Sequence, residues 1–223
     1  IVYAVEEGRR IYDNIRKAIQ FLLSSNLSEV VSMFTATIMN FSLFSPIHVL
    51  WINLITDSLP AIALGMEDAE PDIMEKKPRS SKEGIFSNGL GADVIYQGIL
   101  VAALTLISYF IGNNYSFRLN EQYHIRAMTM AFLTLSACEV FHSLNMRSRT
   151  NSIFTLKTHN IFLTGAMILS FILTLLVIYV PGVNTVFELT SLSPAYFLIA
   201  SGLAISIIPI VEIVKFVKRR INK

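Results

Sequence analysis

The chain has 223 residues, of which 53% are hydrophobic and 15% charged, and its mean hydropathy is +0.55. Soluble domains are typically about 25% charged, so this composition excludes an ordinary soluble protein and indicates a membrane protein. The net charge of +2 gives no reason to expect a nucleic-acid partner, and the single cysteine, Cys138, excludes an internal disulfide framework.

Six apolar stretches have roughly the 20-residue length that crosses a bilayer. They are predicted at residues 16–40, 46–66, 90–112, 125–144, 160–180 and 193–214. The charged segment VEEGRRIYDNIRK before the first stretch is unlike a signal peptide, and we expect the chain to be a piece of a longer protein. The predicted fold class is therefore an all-α membrane protein, a six-helix transmembrane bundle formed by residues 1–223.

The distribution of lysine and arginine predicts the orientation of this bundle, because positively charged loops stay on the cytoplasmic side. If the chain starts inside, every lysine and arginine except Arg118 and Arg126 lies in an inner segment. Both termini are therefore predicted to be cytoplasmic, and the closing KFVKRRINK is interpreted as a juxtamembrane anchor. The positions of the basic residues are then explained by the orientation of the bundle in the membrane, and no nucleic-acid partner is expected.

The first span contains two polar side chains within the apolar run SSNLSEVVSMF. Asn26 and Glu29 are three residues apart, which places them on one face of a helix. An ionised carboxylate at the centre of a span costs several kcal/mol, roughly 3 or more, so it indicates function unless it has a structural partner.

The second span repeats this pattern in NLITDSLP. Asn53, Thr56 and Asp57 stand at i, i+3 and i+4, so their oxygens share one helical face. Pro60 removes an amide donor and frees a carbonyl of the preceding turn. We expect a locally opened helix here that adds main-chain oxygens to the same place.

The fourth span adds Glu139, in LSACEVFHSLN, nearer the predicted cytoplasmic end. These spans offer oxygen donors without lysine or arginine at a matching depth, which suits a hard cation. Calcium uses six to eight such oxygens, while sodium, potassium and protons also remain possible. The alternative is that the asparagines and Thr56 only hydrogen-bond between helices, with protonated acids in the network.

Other chemistry is poorly supported. Ser24 and Ser25 have no base at a useful spacing, so a nucleophile is not expected. The four histidines lie near predicted span ends, where interfacial packing explains them, and Cys138 is expected to pack as a small hydrophobic residue.

Two long segments carry a resemblance to a known family. EEGRRIYDNIRKAIQFLLSSNLSEVV and VLWINLITDSLPAIALGMEDAEPDIMEKKPR resemble the fifth and sixth membrane helices of calcium-transporting P-type ATPases of the sarcoplasmic-reticulum type. The likeness continues through EVFHSLN, in what would be the eighth helix, and VEIVKFVKR, which closes the tenth. The resemblance implies the C-terminal membrane region, without the first four membrane helices and the cytoplasmic catalytic domains.

The resemblance also implies ion ligands. One ion site would be built from Asn26, Glu29, Thr56, Asp57 and Glu139, and a second would use Asn53 and again Asp57. The second site also needs groups from the fourth membrane helix. In the similar sodium–potassium pumps an aspartate typically matches Asn53, so the asparagine favours calcium, and the retained acids suggest two calcium ions per cycle.

The implied function is ATP-driven export of Ca²⁺ from the cytoplasm, with proton counter-transport on Glu29, Asp57 and Glu139. The chain has no DKTG motif and no P-loop, so ATP and Mg²⁺ would bind in the missing cytoplasmic domains and the fragment alone should be inactive. The implied partners are the lipid bilayer and the rest of the parent ATPase chain, including its fourth membrane helix and phosphorylation domain.

An unbroken helix from Arg10 to Glu29 would span about 28 Å and join a cytoplasmic domain to the ion site. The loop PDIMEKKPR would lie beside it as a docking surface. Short outer loops without a cysteine pair favour a bacterial plasma membrane. Three alternatives remain: a pump for Na⁺, K⁺ or H⁺, an autonomous cation channel or exchanger subunit, and a membrane anchor for a catalytic head.

Overall fold

The computed structural model describes residues 1–75, 84–87, 89–114, 121–156 and 158–221, with the side chains of 121 and 122 left aside. Within these ranges every regular element is helical, which confirms the predicted all-α class. The elements are, in chain order, α1 (Val2–Ile38), α2 (Pro46–Trp51), a π-helix (Ile52–Asp57), α3 (Ser58–Leu64), α4 (Leu90–Gly112), α5 (Glu121–Met146), a 3₁₀ turn (Ile153–Thr155), α6 (Ile161–Tyr179), α7 (Val183–Val186), α8 (Pro194–Ile205) and α9 (Ile207–Ile221).

Six helical segments of the described chain are long and apolar enough to cross a membrane, which confirms the predicted number. They are Val2–Ile38, Pro46–Leu64, Leu90–Gly112, Tyr123–Met146, Ile161–Tyr179 and Pro194–Ile221. The second consists of α2, the π-helix and α3, and the sixth consists of α8 and α9.

Helix α1 is longer than the membrane-spanning stretch predicted for it. Its 37 residues correspond to about 55 Å, whereas the hydrocarbon core is about 30 Å thick. The charged segment that precedes the first apolar run therefore continues the same helix beyond the bilayer.

Helix α5 forms the centre of the bundle and packs against α1, α4, α6, α8 and α9. Its side chains between Ala127 and Cys138 are almost all fully buried. By contrast, only about a third of the residues of α6 and of the last span are buried. This is expected of helices at the lipid-facing edge of a bundle. A polar residue on α5 therefore lies in the core of the protein.

Helices α4 and α5 approach each other most closely at Gly112. A Cβ atom at this position would lie 2.6 Å from the Cα of Ala127, closer than any real contact between the two atoms. The carbonyl of Gly112 also accepts a hydrogen bond of 2.8 Å from Nε of Arg126. Glycine here allows two backbones to touch, which is how membrane helices commonly pack.

One end of the bundle, called here the terminal end, carries residues 65–75, 147–156, 158–160 and 215–221. There the connection after α3 is fastened to the first half of α1. Asn14 Nδ2 donates to the carbonyls of Glu67 at 2.6 Å and Gly65 at 3.3 Å, and Arg9 donates to the carbonyl of Ile73 at 2.8 Å. Residues 71–75 of the predicted docking loop thus lie beside α1, while its residues 76–79 lie outside the described chain.

Glu67 joins this connection to α5 and α6. Its Oε1 accepts hydrogen bonds from Arg147 Nη2 at 2.7 Å and Nε at 3.0 Å. Its Oε2 accepts one from Asn160 Nδ2 at 2.8 Å. The carboxylate is only 3% exposed, so its charge depends on these donors.

A second polar cluster at the terminal end joins α1, α4 and α9. Asp93 pairs with both Arg149 and Lys218, and Arg149 Nε donates to Gln20 Oε1 at 2.8 Å. Burial and the nearby Arg16 lower the pKa of the Arg149 guanidinium, while Asp93 opposes that shift. Charged and amide groups therefore connect these three helices to one another at the terminal end of the bundle.

Candidate ion-binding site

The second span changes its winding at the residues that the sequence singled out. The π-helix covers INLITD and is followed directly by α3, which contains Pro60. Because proline has no amide hydrogen, a carbonyl four or five residues earlier loses its usual partner. The Ile55 carbonyl accepts a hydrogen bond of 2.9 Å from Ser170 of α6 instead, and Ser58 Oγ donates to the Asn53 carbonyl at 2.7 Å. Wide turns of this kind are frequent at functional sites.

Asp57 ends the π-helix and faces α1. Its side chain is 1% exposed. Oδ2 accepts a hydrogen bond of 2.7 Å from the Ser25 hydroxyl. Oδ1 is buried and has no hydrogen-bond partner among the described residues, so one oxygen of this carboxylate is available to a ligand.

Glu29 of α1 faces Asn53 of the π-helix. Both carboxylate oxygens, at 3.1 and 3.0 Å, lie within hydrogen-bonding distance of Asn53 Nδ2. The same amide nitrogen is 3.0 Å from the Val49 carbonyl. In this arrangement the amide nitrogen, not the amide oxygen, of Asn53 is turned towards the acid.

Glu139 of α5 is fully buried. Its Oε1 lies 3.3 Å from the Ser28 hydroxyl, and its Oε2 is buried without a partner among the described residues. Glu139, Asp57 and Glu29 are near enough to interact electrostatically. The structure therefore brings together acids from three separate elements.

The two remaining residues of the predicted set differ in position. Thr56 is fully buried on the π-helix, and its hydroxyl donates to the Ile52 carbonyl at 2.9 Å. Asn26 is exposed on α1 and donates to the Leu22 carbonyl at 2.7 Å. Thr56 is thus buried next to Asp57 in the chain, whereas Asn26 lies on an exposed part of α1.

Sequence reasoning did not predict the contacts that Ser25 and Ser28 make with the acids. Without a base nearby, Ser25 gives no sign of function in the sequence, and Ser28 gives none either. The two serines stand three residues apart, which places them on one face of α1, but the spacing does not say which neighbours that face meets. In the structure it meets the π-helix and α5.

Among the described residues, these acids have no cationic partner. None of the ion pairs formed by the described residues involves Glu29, Asp57 or Glu139. Over the same residues, no three His, Cys, Asp or Glu side chains stand close enough to hold one metal ion between them. A cation would therefore also need amide, hydroxyl or carbonyl oxygens, which surround these acids. A six-span bundle with un-neutralised acids at its centre is typical of a membrane protein that transports cations.

Comparison with known proteins places the chain in a family. Residues 41–217 match the family described as cation transporting ATPase, C-terminus. The chain belongs to this family, which confirms the resemblance drawn from its first two spans.

Curated relatives cover nearly the whole chain. Calcium-transporting ATPase 1 of Bacillus cereus is 38% identical over 98% of the chain and 26% of its own length. A calcium-transporting ATPase of Bacillus subtilis is 38% identical over 90% of the chain and 22% of its own length. A calcium-transporting ATPase of Listeria monocytogenes is 36% identical over 100% of the chain and 25% of its own length. The chain thus spans about a quarter of these bacterial relatives and is, like the region it matches, a multi-pass membrane protein.

Proposed function

We propose that this chain is the ion-binding membrane portion of an ATP-driven pump that exports Ca²⁺ from the cytoplasm across a bacterial plasma membrane. One observation carries the proposal. Asp57 and Glu139 each keep one carboxylate oxygen buried without a partner in the described chain, beside a third acid, Glu29. Buried acids without partners are costly, so a cation bound beside them, with neutral oxygens completing its ligands, would be stabilising.

The donor set suits calcium. Carboxylate, amide and hydroxyl oxygens are the ligands that Ca²⁺ takes, at flexible geometry. Glu29, Asp57 and Glu139 would contribute charge, and Asn53 and Thr56 neutral oxygens. Asn53 would have to turn its amide oxygen towards the ion, which would release Glu29. Asn26 is exposed and hydrogen-bonded to the Leu22 carbonyl, so its participation would need a change of its side-chain conformation or of the position of α1. The bacterial relatives are named calcium-transporting ATPases, which favours calcium over sodium, potassium or protons.

Energy for transport would come from the rest of a longer chain. ATP and Mg²⁺ would bind in cytoplasmic domains, whose phosphorylation would drive the change of access. A fourth membrane helix would complete the second ion site. The part of α1 that extends beyond the bilayer, with residues 65–75 fastened to it, is suited to receive such a domain. Both chain termini would then be cytoplasmic.

Exchange for protons is the finer part of the proposal. Once calcium has left outward, Glu29, Asp57 and Glu139 would be crowded in a poorly hydrated core, and protonation would relieve their repulsion. Each cycle would then return protons to the cytoplasm.

The test is calcium-45 uptake with ATP into sealed inside-out vesicles that carry the full-length protein. We expect Asp57→Asn and Glu29→Gln to abolish uptake, because each removes a charge from the cluster at nearly unchanged shape. The matched controls are Asp68→Asn and Glu75→Gln, which alter exposed acids of the connection after α3 and should keep uptake at the wild-type level.

The other outcomes separate the alternatives. Uptake without ATP would indicate a channel or exchanger. Uptake that survives in both charge variants would indicate an anchor. An ATPase that responds to sodium or potassium, without calcium uptake, would leave the family assignment intact and overturn the ion assignment. In the same vesicles, an uptake rate insensitive to an opposing pH gradient would contradict proton counter-transport.

A further inference from the structure

The acids of the ion cluster are held in a repeated pattern by two serines of α1. Ser25 Oγ is 2.7 Å from one oxygen of Asp57 and Ser28 Oγ is 3.3 Å from one oxygen of Glu139. In both acids the second oxygen is buried and has no partner among the described residues. One oxygen is fixed by a serine, and the other is left for a ligand.

We propose that Ser25 and Ser28 are positioning residues of the cation site, which orient Asp57 and Glu139 so that each presents its free oxygen to the transported ion. This inference rests on the proposed function and adds two residues that do not themselves bind the ion. The acids come from the π-helix and from α5, whereas both serines come from α1. The serines therefore set the distance and orientation of two acids relative to a single helix.

The Ser28 hydroxyl has two acceptors within reach. Its hydroxyl lies 2.8 Å from the Ser25 carbonyl as well as 3.3 Å from Glu139. One hydroxyl has one proton, and an ionised carboxylate is a stronger acceptor than a carbonyl. Ser28 therefore donates to Glu139 when the acid is charged and ready to bind a cation.

Helix α1 offers matched controls. Ser24 and Ser32 are as deeply buried as Ser25 and Ser28. Their hydroxyls donate to carbonyls of α1 itself, Ser24 to Phe21 at 2.8 Å and Ser32 to Glu29 at 3.1 Å. Replacing them by alanine removes the same atom from the same helix without touching an acid side chain.

The experiment measures ATPase activity of the full-length protein against calcium concentration. A hydrogen bond to a charged group is worth enough that Ser28→Ala and Ser25→Ala should each raise the calcium concentration for half-maximal activity by about threefold to tenfold. The maximal rate should be unchanged, because saturating calcium still fills the site. Ser24→Ala and Ser32→Ala should shift the half-maximal concentration by less than about twofold, since neither hydroxyl donates to an acid side chain.

A double-mutant cycle separates positioning from a general loss of structure. In a Glu139→Asp background, which keeps the charge but withdraws the carboxylate from Ser28, Ser28→Ala should produce a much smaller further shift in the half-maximal calcium concentration than it does alone. An additive shift would overturn the inference, and so would a Ser28→Ala protein that behaves like Ser24→Ala while wild type responds to calcium. Wild type without any response to calcium would overturn the proposed function and this inference together.

Discussion

Glu67 is a buried acid whose surroundings differ from those of the ion cluster. It accepts three hydrogen bonds, two from Arg147 and one from Asn160. Glu67→Ala would leave Arg147, which is only 11% exposed, without its carboxylate. Breaking a buried pair from one side costs about 3 kcal/mol or more. We expect a clearly lower midpoint of thermal unfolding for the detergent-solubilised protein, measured by tryptophan fluorescence.

The control is Glu75→Ala, which removes the same carboxylate from an exposed position of the same connection. Its unfolding midpoint should match that of wild type. Equal midpoints for the two variants would mean that Arg147 finds another acceptor and that Glu67 contributes little.

The acids of the candidate site could be predicted from the sequence because each is conspicuous in an apolar span. Glu29, Asp57 and Glu139 were found in this way, and their participation in ion binding remains a prediction. Ser25 and Ser28 could not be singled out, since serine is common in membrane helices and its role depends on which neighbour its hydroxyl reaches. The direction of Asn26 was equally hidden, because it depends on the rotation of α1 about its axis.

At the scale of elements, the contact of α4 with α5 depends on a single missing methyl group. Gly112→Ala would place a Cβ 2.6 Å from the Ala127 Cα, and a backbone atom cannot move aside as a flexible side chain does. Forcing extra volume into a packed interface typically costs about 1–3 kcal/mol. We expect a lower unfolding midpoint and a smaller yield of folded protein, measured by size-exclusion chromatography in detergent.

The same substitution in α6 serves as the control. A Cβ on Gly165 would meet no atom within 4 Å, so Gly165→Ala should leave the midpoint unchanged or raise it slightly. Destabilisation of both variants to the same degree would show that helix flexibility, and not the close approach of α4 and α5, explains the effect.

The six spans could be predicted from hydropathy, and the interruption of the second span could be predicted from Pro60. The form of the interruption could not. Whether a helix opens into a loop or widens into a π-helix depends on which groups satisfy the released carbonyls. Here Ser170 of α6 does so for Ile55, a partner more than one hundred residues away in the sequence.

For the whole molecule, the distribution of basic residues predicts which end faces the cytoplasm. Two variants that each add one cysteine test it: Asp68→Cys at the terminal end and Thr185→Cys at the opposite end, both at exposed positions. A membrane-impermeant maleimide should label Thr185→Cys in intact cells and Asp68→Cys only in inside-out vesicles. The protein would be the full-length chain with its cysteines outside this region replaced by serine.

The native cysteine provides the background control, because Cys138 is fully buried and should remain unlabelled in both preparations. Labelling of Asp68→Cys in intact cells would reverse the orientation and contradict cytoplasmic termini.

The uninterrupted length of α1 has a mechanical consequence. One continuous helix carries Arg9, which contacts the connection after α3, and Ser25 and Ser28, which contact the acids. A screw displacement of α1 by one residue would shift both serines by about 1.5 Å along the helix axis and turn them by about 100° about it. Asp57 and Glu139 would lose their serine donors in the same movement. The affinity of the acids for a cation would then depend on the position of α1 along and about its own axis.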